Sequence, residues 1–179
     1  AYGEGELVDG DDGPELDAPG DAPVVYAQAA QHGREVNGTA VLRRLHDRLV
    51  GGDEAESADG PTAADLDGTL VTVPVADPLT FDRVSYTTPE SLDSRQPNMN
   101  RCWPGDAEGS LHERMAARLW RFAGAADAIV DLHTGSPSMA THAVYMRGDD
   151  ACRGLAEAFG TDLLLAEAAG DDADTEWDE

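Results

Sequence analysis

Two histidines and one glutamate stand at the places where the sequence predicts that strands end. His32 follows the short, largely apolar run 24–30, and Glu35 comes three residues later, so both side chains can reach one ion across a turn. His133 ends a second apolar run, "AIVDLH". Two histidines and one glutamate are a common ligand set of catalytic zinc, which keeps a fourth position for water. These residues indicate a metal site, although a lone His-x-x-Glu also fits an ordinary surface turn.

Three further polar residues could support chemistry at such a site. Asp131 lies two residues before His133 and therefore on the same strand face, where a carboxylate can orient a histidine ring. Asn100 and Arg101 are adjacent in the segment "RQPNMNRCWPGD". Arginine suits the planar, bidentate recognition of a substrate carboxylate. Because acidic partners are abundant in this chain, a structural ion pair is an equally open interpretation of Arg101.

The elements that must position these residues alternate between strands and helices. The predicted strands are 24–30, 69–77, 127–134, 142–147 and 162–165, with a further short one at 5–8, and the predicted helices are 35–50, 110–124 and 149–159. This alternation indicates an α/β fold with a mainly parallel or mixed sheet flanked by helices. Ligands of such sheets bind beyond the carboxyl ends of the strands. The segment 78–109 is predicted to be irregular, and a loop of that length is typically functional or disordered.

Composition sets the outer limits of the chain's organisation. Residues 1–22, rich in Gly, Asp and Pro, are predicted to be a loose acidic lead-in, and 169–179 an acidic tail. The globular part is then 23–168, a size that suits one domain. In the first helix the predicted apolar stripe contains Val36, Ala40, Val41, Leu45 and Leu49.

The charge of the chain is strongly negative. Thirty-six acidic residues oppose twelve basic ones, all arginine, for a formal net charge of −24. Such a surface repels itself in dilute buffer, whereas in molar salt the Debye length falls to about 3 Å. This favours a halophilic, cytoplasmic protein, and it argues against nucleic acid as a partner. No long apolar segment predicts a membrane span, and the two cysteines have no metal-binding spacing.

Three segments, taken together, resemble a known family. "AAQHGREVNGTAVLRRL", "NMNRCWPGD" and "AIVDLHTGS", in this order and spacing within residues 24–136, are similar to the succinylglutamate desuccinylase/aspartoacylase family of the zinc carboxypeptidase superfamily. The resemblance implies a zinc-carboxypeptidase-like (phosphorylase/hydrolase-like) fold. It also implies one zinc ion per chain, held by His32, Glu35 and His133.

The resemblance assigns further roles around that ion. Asn100 and Arg101 would hold a substrate carboxylate, with Arg95 as an additional contact. Trp103 stands where the family pattern usually has phenylalanine. The implied activity is hydrolysis of the amide of a small N-acyl amino acid, with a zinc-bound water as the nucleophile. A carboxypeptidase acting on peptide C-termini is an alternative within the same superfamily.

The general base that the family pattern supplies has no match in this sequence. That glutamate belongs to a later strand, and none of the glutamates after His133 has the expected flanking residues; they are Glu157, Glu167, Glu176 and Glu179. The resemblance therefore predicts that 23–168 is the N-terminal portion of a catalytic domain, incomplete at its C-terminus. This chain alone is expected to be inactive or nearly so, which keeps a non-catalytic metal-binding fragment as a further alternative. The oligomeric state is left open.

Overall fold

The structure is a computed structural model that describes residues 1–11, 13–51 and 61–168. Contacts between residues divide the chain into two compact units, Ala1–Thr134 and a second that begins at Gly135. All the predicted site residues lie in the first unit. The predicted domain limits, 23–168 between two acidic ends, stay a prediction, and the tail 169–179 lies outside the described residues.

The described elements follow one another in α/β order. In the first unit the strands are β1 (Tyr2–Gly3), β2 (Glu6–Gly10), β3 (Gly13–Asp17), β4 (Val24–Ala29), β5 (Thr69–Val73) and β6 (Ala128–Leu132), and the helices are α1 (Asn37–Leu49), α2 (Pro78–Arg83) and α3 (Leu111–Ala123). Short 3-10 helices occupy Ala63–Asp65 and Met99–Arg101. The second unit contains β7 (Ala143–Met146), α4 (Asp150–Ala158) and β8 (Leu164–Glu167).

The central sheet of the first unit has the order β1-β5-β4-β6. Strand β4 pairs in parallel with β5 on one side and with β6 on the other, while β1 is antiparallel to β5. Strands β2 and β3 form a separate antiparallel pair, and β7 and β8 pair in parallel within the second unit. The predicted α/β class with a mainly parallel sheet is thereby confirmed.

Alternate residues of β4 bury both faces of the sheet. On one face Val24 and Tyr26 form a cluster with Val71 and with Ala123 of α3. On the other face Ala27 and Ala29 pack with Leu42 of α1. The strand is thus buried on both sides, as its apolar run predicted, and its end is held by helices above and below the sheet.

Helix α1 differs from the prediction in its start and in its buried face. It begins at Asn37, so Glu35 lies in the turn before the helix. Val36 and Val41 of the predicted stripe are 46% and 49% exposed. The packed face instead runs through Gly38, Leu42, Leu45 and Leu49, a spacing of four, three and four residues that also fits one helical stripe. Periodicity alone did not discriminate between these two overlapping stripes.

Two regions predicted to be irregular contain regular structure. The lead-in 1–22 includes β1, β2 and β3, of which β2 overlaps the short strand predicted at 5–8. In the predicted loop 78–109, helix α2 follows β5 because Asp77 accepts hydrogen bonds from the N–H groups of Leu79 and Thr80. Pro78, which has no N–H to leave unpaired, fits the first helical turn. In the part of the chain that the structure describes, no helix is long and apolar enough to cross a membrane.

Candidate metal centre

The candidate site lies where the chain reverses its direction across the sheet. From β4 the chain crosses to β5 on one side, and it later returns to β6 on the other side of β4. The carboxyl ends of β4 and β6 therefore flank a topological switch point, the place where open α/β sheets bind ligands. His32 follows β4 and His133 follows β6, so this switch point brings the two predicted histidines together.

Three potential ligand atoms converge there. Nδ1 of His32 is 3.0 Å from Oε1 of Glu35, and Nδ1 of His133 is 2.9 Å from Oε2 of the same carboxylate. Ligand atoms from these three residues all lie within 4.8 Å of one another, as in no other group of His, Cys, Asp or Glu side chains among the described residues. His32 and Glu35 are buried, whereas the His133 side chain is 36% exposed. The site is thus open to solvent on the His133 side.

Each histidine also has an oxygen behind it. Nε2 of His32 lies 3.1 Å from Oδ1 of Asn98, and Nε2 of His133 lies 2.9 Å from Oδ2 of Asp131. An imidazole that binds a metal through one nitrogen typically donates its other N–H to an oxygen of this kind. With both Nδ1 atoms facing one carboxylate and both Nε2 atoms backed by oxygen, the residues present fit a zinc ion.

The electrostatic environment of His133 reflects its acidic neighbours. The hydrogen bond to Asp131 raises the pKa of His133 to about 9; burial acts in the opposite direction, and the charges of Asp131 and Glu35 add to the increase. The backbone N–H of Thr134 also holds Glu35 in place, donating at 3.0 Å to Oε2, the oxygen that faces His133. The carboxylates of Asp131 and Glu35 therefore favour a positive charge at His133.

Two glycines of the first sequence segment allow the elements to approach. A Cβ on Gly33 would lie 1.9 Å from the carbonyl carbon of Thr80, so only glycine lets the His32 turn pass the backbone of α2. A Cβ on Gly38 would lie 2.7 Å from the Cβ of Leu132, where α1 packs on the end of β6. Close packing therefore explains why glycine occupies both positions of the segment "HGREVNG".

Tyr86, which sequence reasoning missed, stacks on the first histidine. Its ring is 3.9 Å from that of His32, centroid to centroid, at an interplanar angle of 22°. The guanidinium of Arg34 lies 4.7 Å from the centroid of the same tyrosine ring. Because Tyr86 follows α2 in a polar segment without periodicity, nothing in the sequence distinguished it.

The predicted substrate residues occupy different surroundings. Oδ1 of Asn98 lies 3.1 Å from Nε2 of His32 and accepts a hydrogen bond from the backbone N–H of Asn100, so Asn100 sits beside the site. Arg101 follows directly and is exposed, with its guanidinium donating to the carbonyl of Asn100 at 2.9 Å. The backbone N–H of Arg95 donates to Asp93. No described contact ties Arg95 to the cluster, and the three substrate roles stay predictions.

Two more residues contact the site without having been predicted. Asn98 lies two positions before Asn100 in "NMNR", and the repeated asparagine is the signal that could have drawn attention to it. Gln31 directly precedes His32 and is 2% exposed. Its amide donates to Asp131 and lies 3.4 Å from Oδ1 of Asn100.

Comparison with known proteins assigns the chain to a family. Residues 21–177 match the model of the succinylglutamate desuccinylase/aspartoacylase catalytic domain, which is most of the chain. The chain belongs to this family. The family resemblance read from the three sequence segments is thereby confirmed.

One curated relative and several solved structures are similar to the chain. N-alpha-acetyl-L-2,4-diaminobutyric acid deacetylase of Halomonas elongata is 29% identical over 121 residues, which are 67% of this chain and 31% of that relative. A succinylglutamate desuccinylase from a Silicibacter species shares the fold with a TM-score of 0.65 at 24% identity, covering 96% of this chain and 53% of that one. A metallo-carboxypeptidase from Burkholderia cenocepacia does so with a TM-score of 0.65 at 21% identity, covering 94% and 50%.

These matches span only part of the relatives. The chain covers about a third of the curated deacetylase and about half of the two solved structures. At such identities the structures establish a shared zinc-carboxypeptidase-like fold. What the relatives act on is a property of those proteins, and the reaction of the present chain is a separate question.

Proposed function

We propose that this chain carries the metal centre of a zinc-dependent amide hydrolase that removes the acyl group from a small N-acyl amino acid. The observation that carries the proposal is the convergence of His32, Glu35 and His133 at the switch point of the sheet. Membership of the desuccinylase/aspartoacylase family and likeness to a deacetylase of an N-acetylated amino acid support the reaction class.

The residues of the chain have distinct parts in this proposal. His32, Glu35 and His133 would hold the ion, and Asn98 and Asp131 fix the two imidazole rings through their Nε2 atoms. When bound, zinc lowers the pKa of a coordinated water to about 7 and polarises an amide carbonyl. The exposed side of His133 leaves a path by which a substrate reaches the centre.

Substrate binding is assigned to the segment that follows Asn98. Asn98 is bonded both to His32 and to the backbone of Asn100, so the metal ligand and the substrate-binding segment form one connected unit. A carboxylate held by Asn100 and Arg101 would keep the scissile amide at a fixed distance from the centre. Such positioning contributes a large part of an enzyme's rate acceleration.

The first test is the metal content of the purified chain in molar potassium chloride. We expect about one zinc per chain, because the described residues supply one three-ligand site. The His133→Ala variant should lose the metal, while His142→Ala, which removes a partly exposed histidine of the second unit, should retain it. A chain that takes up no zinc, or a His133→Ala variant that binds as the wild type does, would contradict the proposal.

The second test concerns the substrate class. N-acyl amino acids and peptides with a free C-terminus should be assayed side by side with the zinc-loaded 179-residue chain and, if its gene encodes a longer protein, with that protein. We expect the 179-residue chain to bind zinc without efficient turnover, and a longer form that supplies the general base to hydrolyse N-acyl amino acids. Preferential cleavage of peptides would favour the carboxypeptidase alternative, which the fold shared with the Burkholderia enzyme keeps open. Efficient turnover by the 179-residue chain would show that the expected external general base is not needed.

A further inference from the structure

We propose that Trp103 and Gln31 are positioning residues, acting in series to fix Asp131 and, through it, the metal ligand His133. This inference rests on the proposed metal site. It assigns a task to a residue that departs from the family pattern, where phenylalanine is usual. Neither side chain belongs to the predicted ligand set.

The contacts form a continuous series from the Trp103 segment to β6. The indole Nε1–H of Trp103 donates to Oε1 of Gln31 at 2.6 Å. Gln31 Nε2 donates to Oδ2 of Asp131, and the same carboxylate oxygen lies 2.9 Å from Nε2 of His133. The residues joined in this way are 72, 100 and 2 positions apart in the sequence. The series therefore depends on the packing of three separate segments.

The chemistry of the indole determines how the amide of Gln31 is oriented. An indole N–H can only donate, so it must face the amide oxygen, and the amide NH₂ must then point the other way. An ionised carboxylate can only accept, and Asp131 receives that NH₂ group. Two independent partners thus impose the same orientation on a side chain that is 2% exposed. A phenylalanine in place of Trp103 would leave the buried amide oxygen without this donor.

The same amide also reaches the predicted substrate-binding segment. Nε2 of Gln31 lies 3.4 Å from Oδ1 of Asn100, at the long limit of a hydrogen bond. Gln31 is therefore adjacent both to the support of the metal ligand and to the segment assigned to the substrate. If the amide rotates, the Asp131 carboxylate loses a donor and is freer to turn away from His133.

The experiment measures zinc affinity by chelator competition in molar potassium chloride. The chains to compare are the wild type, Trp103→Phe, Gln31→Met, the double variant and Trp120→Phe. The last is a matched control, because the Trp120 ring lies beside that of Trp103, 6.2 Å away, and is 40% exposed. The absorption spectrum of the cobalt(II)-loaded chain reports on ligand geometry, which a purely structural role would not alter. Circular dichroism establishes that each variant is folded.

Loss of a residue that supports a metal ligand typically weakens metal binding about 10- to 100-fold. We expect a weakening of about tenfold for Gln31→Met and about threefold to tenfold for Trp103→Phe, with altered cobalt spectra. The double variant should bind no more weakly than Gln31→Met alone, since Trp103 acts only through Gln31. Trp120→Phe should stay within about twofold of the wild type.

The following results would overturn the inference. If the wild type binds zinc and Trp103→Phe behaves like Trp120→Phe, the series has no role although the metal site stands. Multiplied losses in the double variant would show that the two residues act independently. If Trp103→Phe fails to fold, Gln31→Met decides the question, and an unchanged affinity there refutes the inference. A wild-type chain that binds no zinc would remove the metal site and this inference together.

Discussion

The first unit holds two clusters built from the same types of side chain, histidine and carboxylate. In the metal cluster, His32 and His133 face Glu35 at 3.0 and 2.9 Å. In the buried cluster, a single histidine, His112, lies between Asp77 and Asp93, with nitrogen–oxygen distances of 3.0 and 3.2 Å. Distances and residue types alone therefore do not distinguish them.

The direction of the nitrogens does distinguish them. The metal cluster presents two Nδ1 atoms to one carboxylate, so the ligand atoms converge on one point. In the buried cluster the two carboxylates bind opposite nitrogens of one ring, so their contacts diverge. His112 is fully buried, and the backbone N–H groups of Arg95 and Gln96 donate to Asp93. The buried cluster is thus already satisfied by protein atoms, whereas the metal cluster has an open side.

The buried cluster joins segments that surround the metal centre. Burial lowers the pKa of His112, but the hydrogen bonds and charges of Asp77 and Asp93 outweigh burial, so the pKa is raised overall. The pKa of Asp77 is lowered in turn, because hydrogen bonds to His112 and Thr80 outweigh the effect of burial. Asp77, which lies between β5 and α2, is thereby connected to His112 of α3. The comparison favours a structural role for the buried cluster and supports the proposal that the open one binds metal.

The largest expected effect is on stability, from removing the centre of the buried cluster. His112→Leu leaves two buried carboxylates without their cation, and breaking a buried ion pair in this way costs about 3–5 kcal/mol. Urea unfolding in molar potassium chloride measures the loss, with His142→Leu, at a partly exposed histidine of the second unit, as the control. An unfolding free energy within about 1 kcal/mol of the wild type would contradict the structural role.

The complementary change in the metal cluster should affect metal binding more than stability. His133→Ala removes one of three ligands, so zinc affinity should fall by at least about 100-fold, the upper end of what supporting residues cost. Without added metal, the unfolding free energy should change by less than for His112→Leu, because His133 is partly exposed. Isothermal titration and urea unfolding of the same preparations test both halves of this prediction. A variant that unfolds as readily as His112→Leu would remove the contrast between the clusters.

A smaller effect is expected from pH. Because the pKa of His112 is raised in the folded state, its stabilisation is fully present below the unfolded value of about 6.5 and is lost as pH rises through the folded value. The difference in unfolding free energy between the wild type and His112→Gln should therefore shrink as pH is raised above about 6.5 at constant salt. Urea unfolding between about pH 6 and pH 9 measures this difference. A difference that stays constant or grows over this range would show that His112 is not held as a cation.

The smallest effect is expected at an exposed pair on α1. Arg43 and Asp47 are 4.0 Å apart, one helical turn from each other, with side chains 81% and 47% exposed. A double-mutant cycle with alanine should give a coupling of about 0.5 kcal/mol or less, which molar potassium chloride should abolish. A coupling that persists in molar salt would contradict the view that exposed charges of this chain contribute little individually.

Much of the metal cluster could be predicted because its signals are local. A short apolar run followed by His32 and Glu35 is visible within a dozen residues, and "AIVDLH" repeats the pattern at His133. The alternation of elements then implied that both strands end at one edge of a sheet. Switch-point topology, which places β6 beside β4, could not be read from the elements in chain order.

The buried cluster could not be predicted, since its parts are far apart in the sequence and carry no pattern. Asp77 looked like the end of a strand, Asp93 like one acid among many, and His112 like a residue near a helix start. Only the packing of α3 against the segment after α2 brings them together. The face of α1 failed for a similar reason, because the tight approach of Gly38 to Leu132 selected one of two overlapping stripes.

The sequence by itself determined the α/β class, the family and the residue types available to hold a metal. These depend on propensities and spacings that act over a few residues, where chain geometry leaves few choices. Tertiary structure decided which nitrogens converge, which oxygens support them, and which histidine is enclosed as a structural cation. Those outcomes depend on contacts between segments up to about a hundred positions apart, as between Gln31 and Asp131, and such contacts are set by packing.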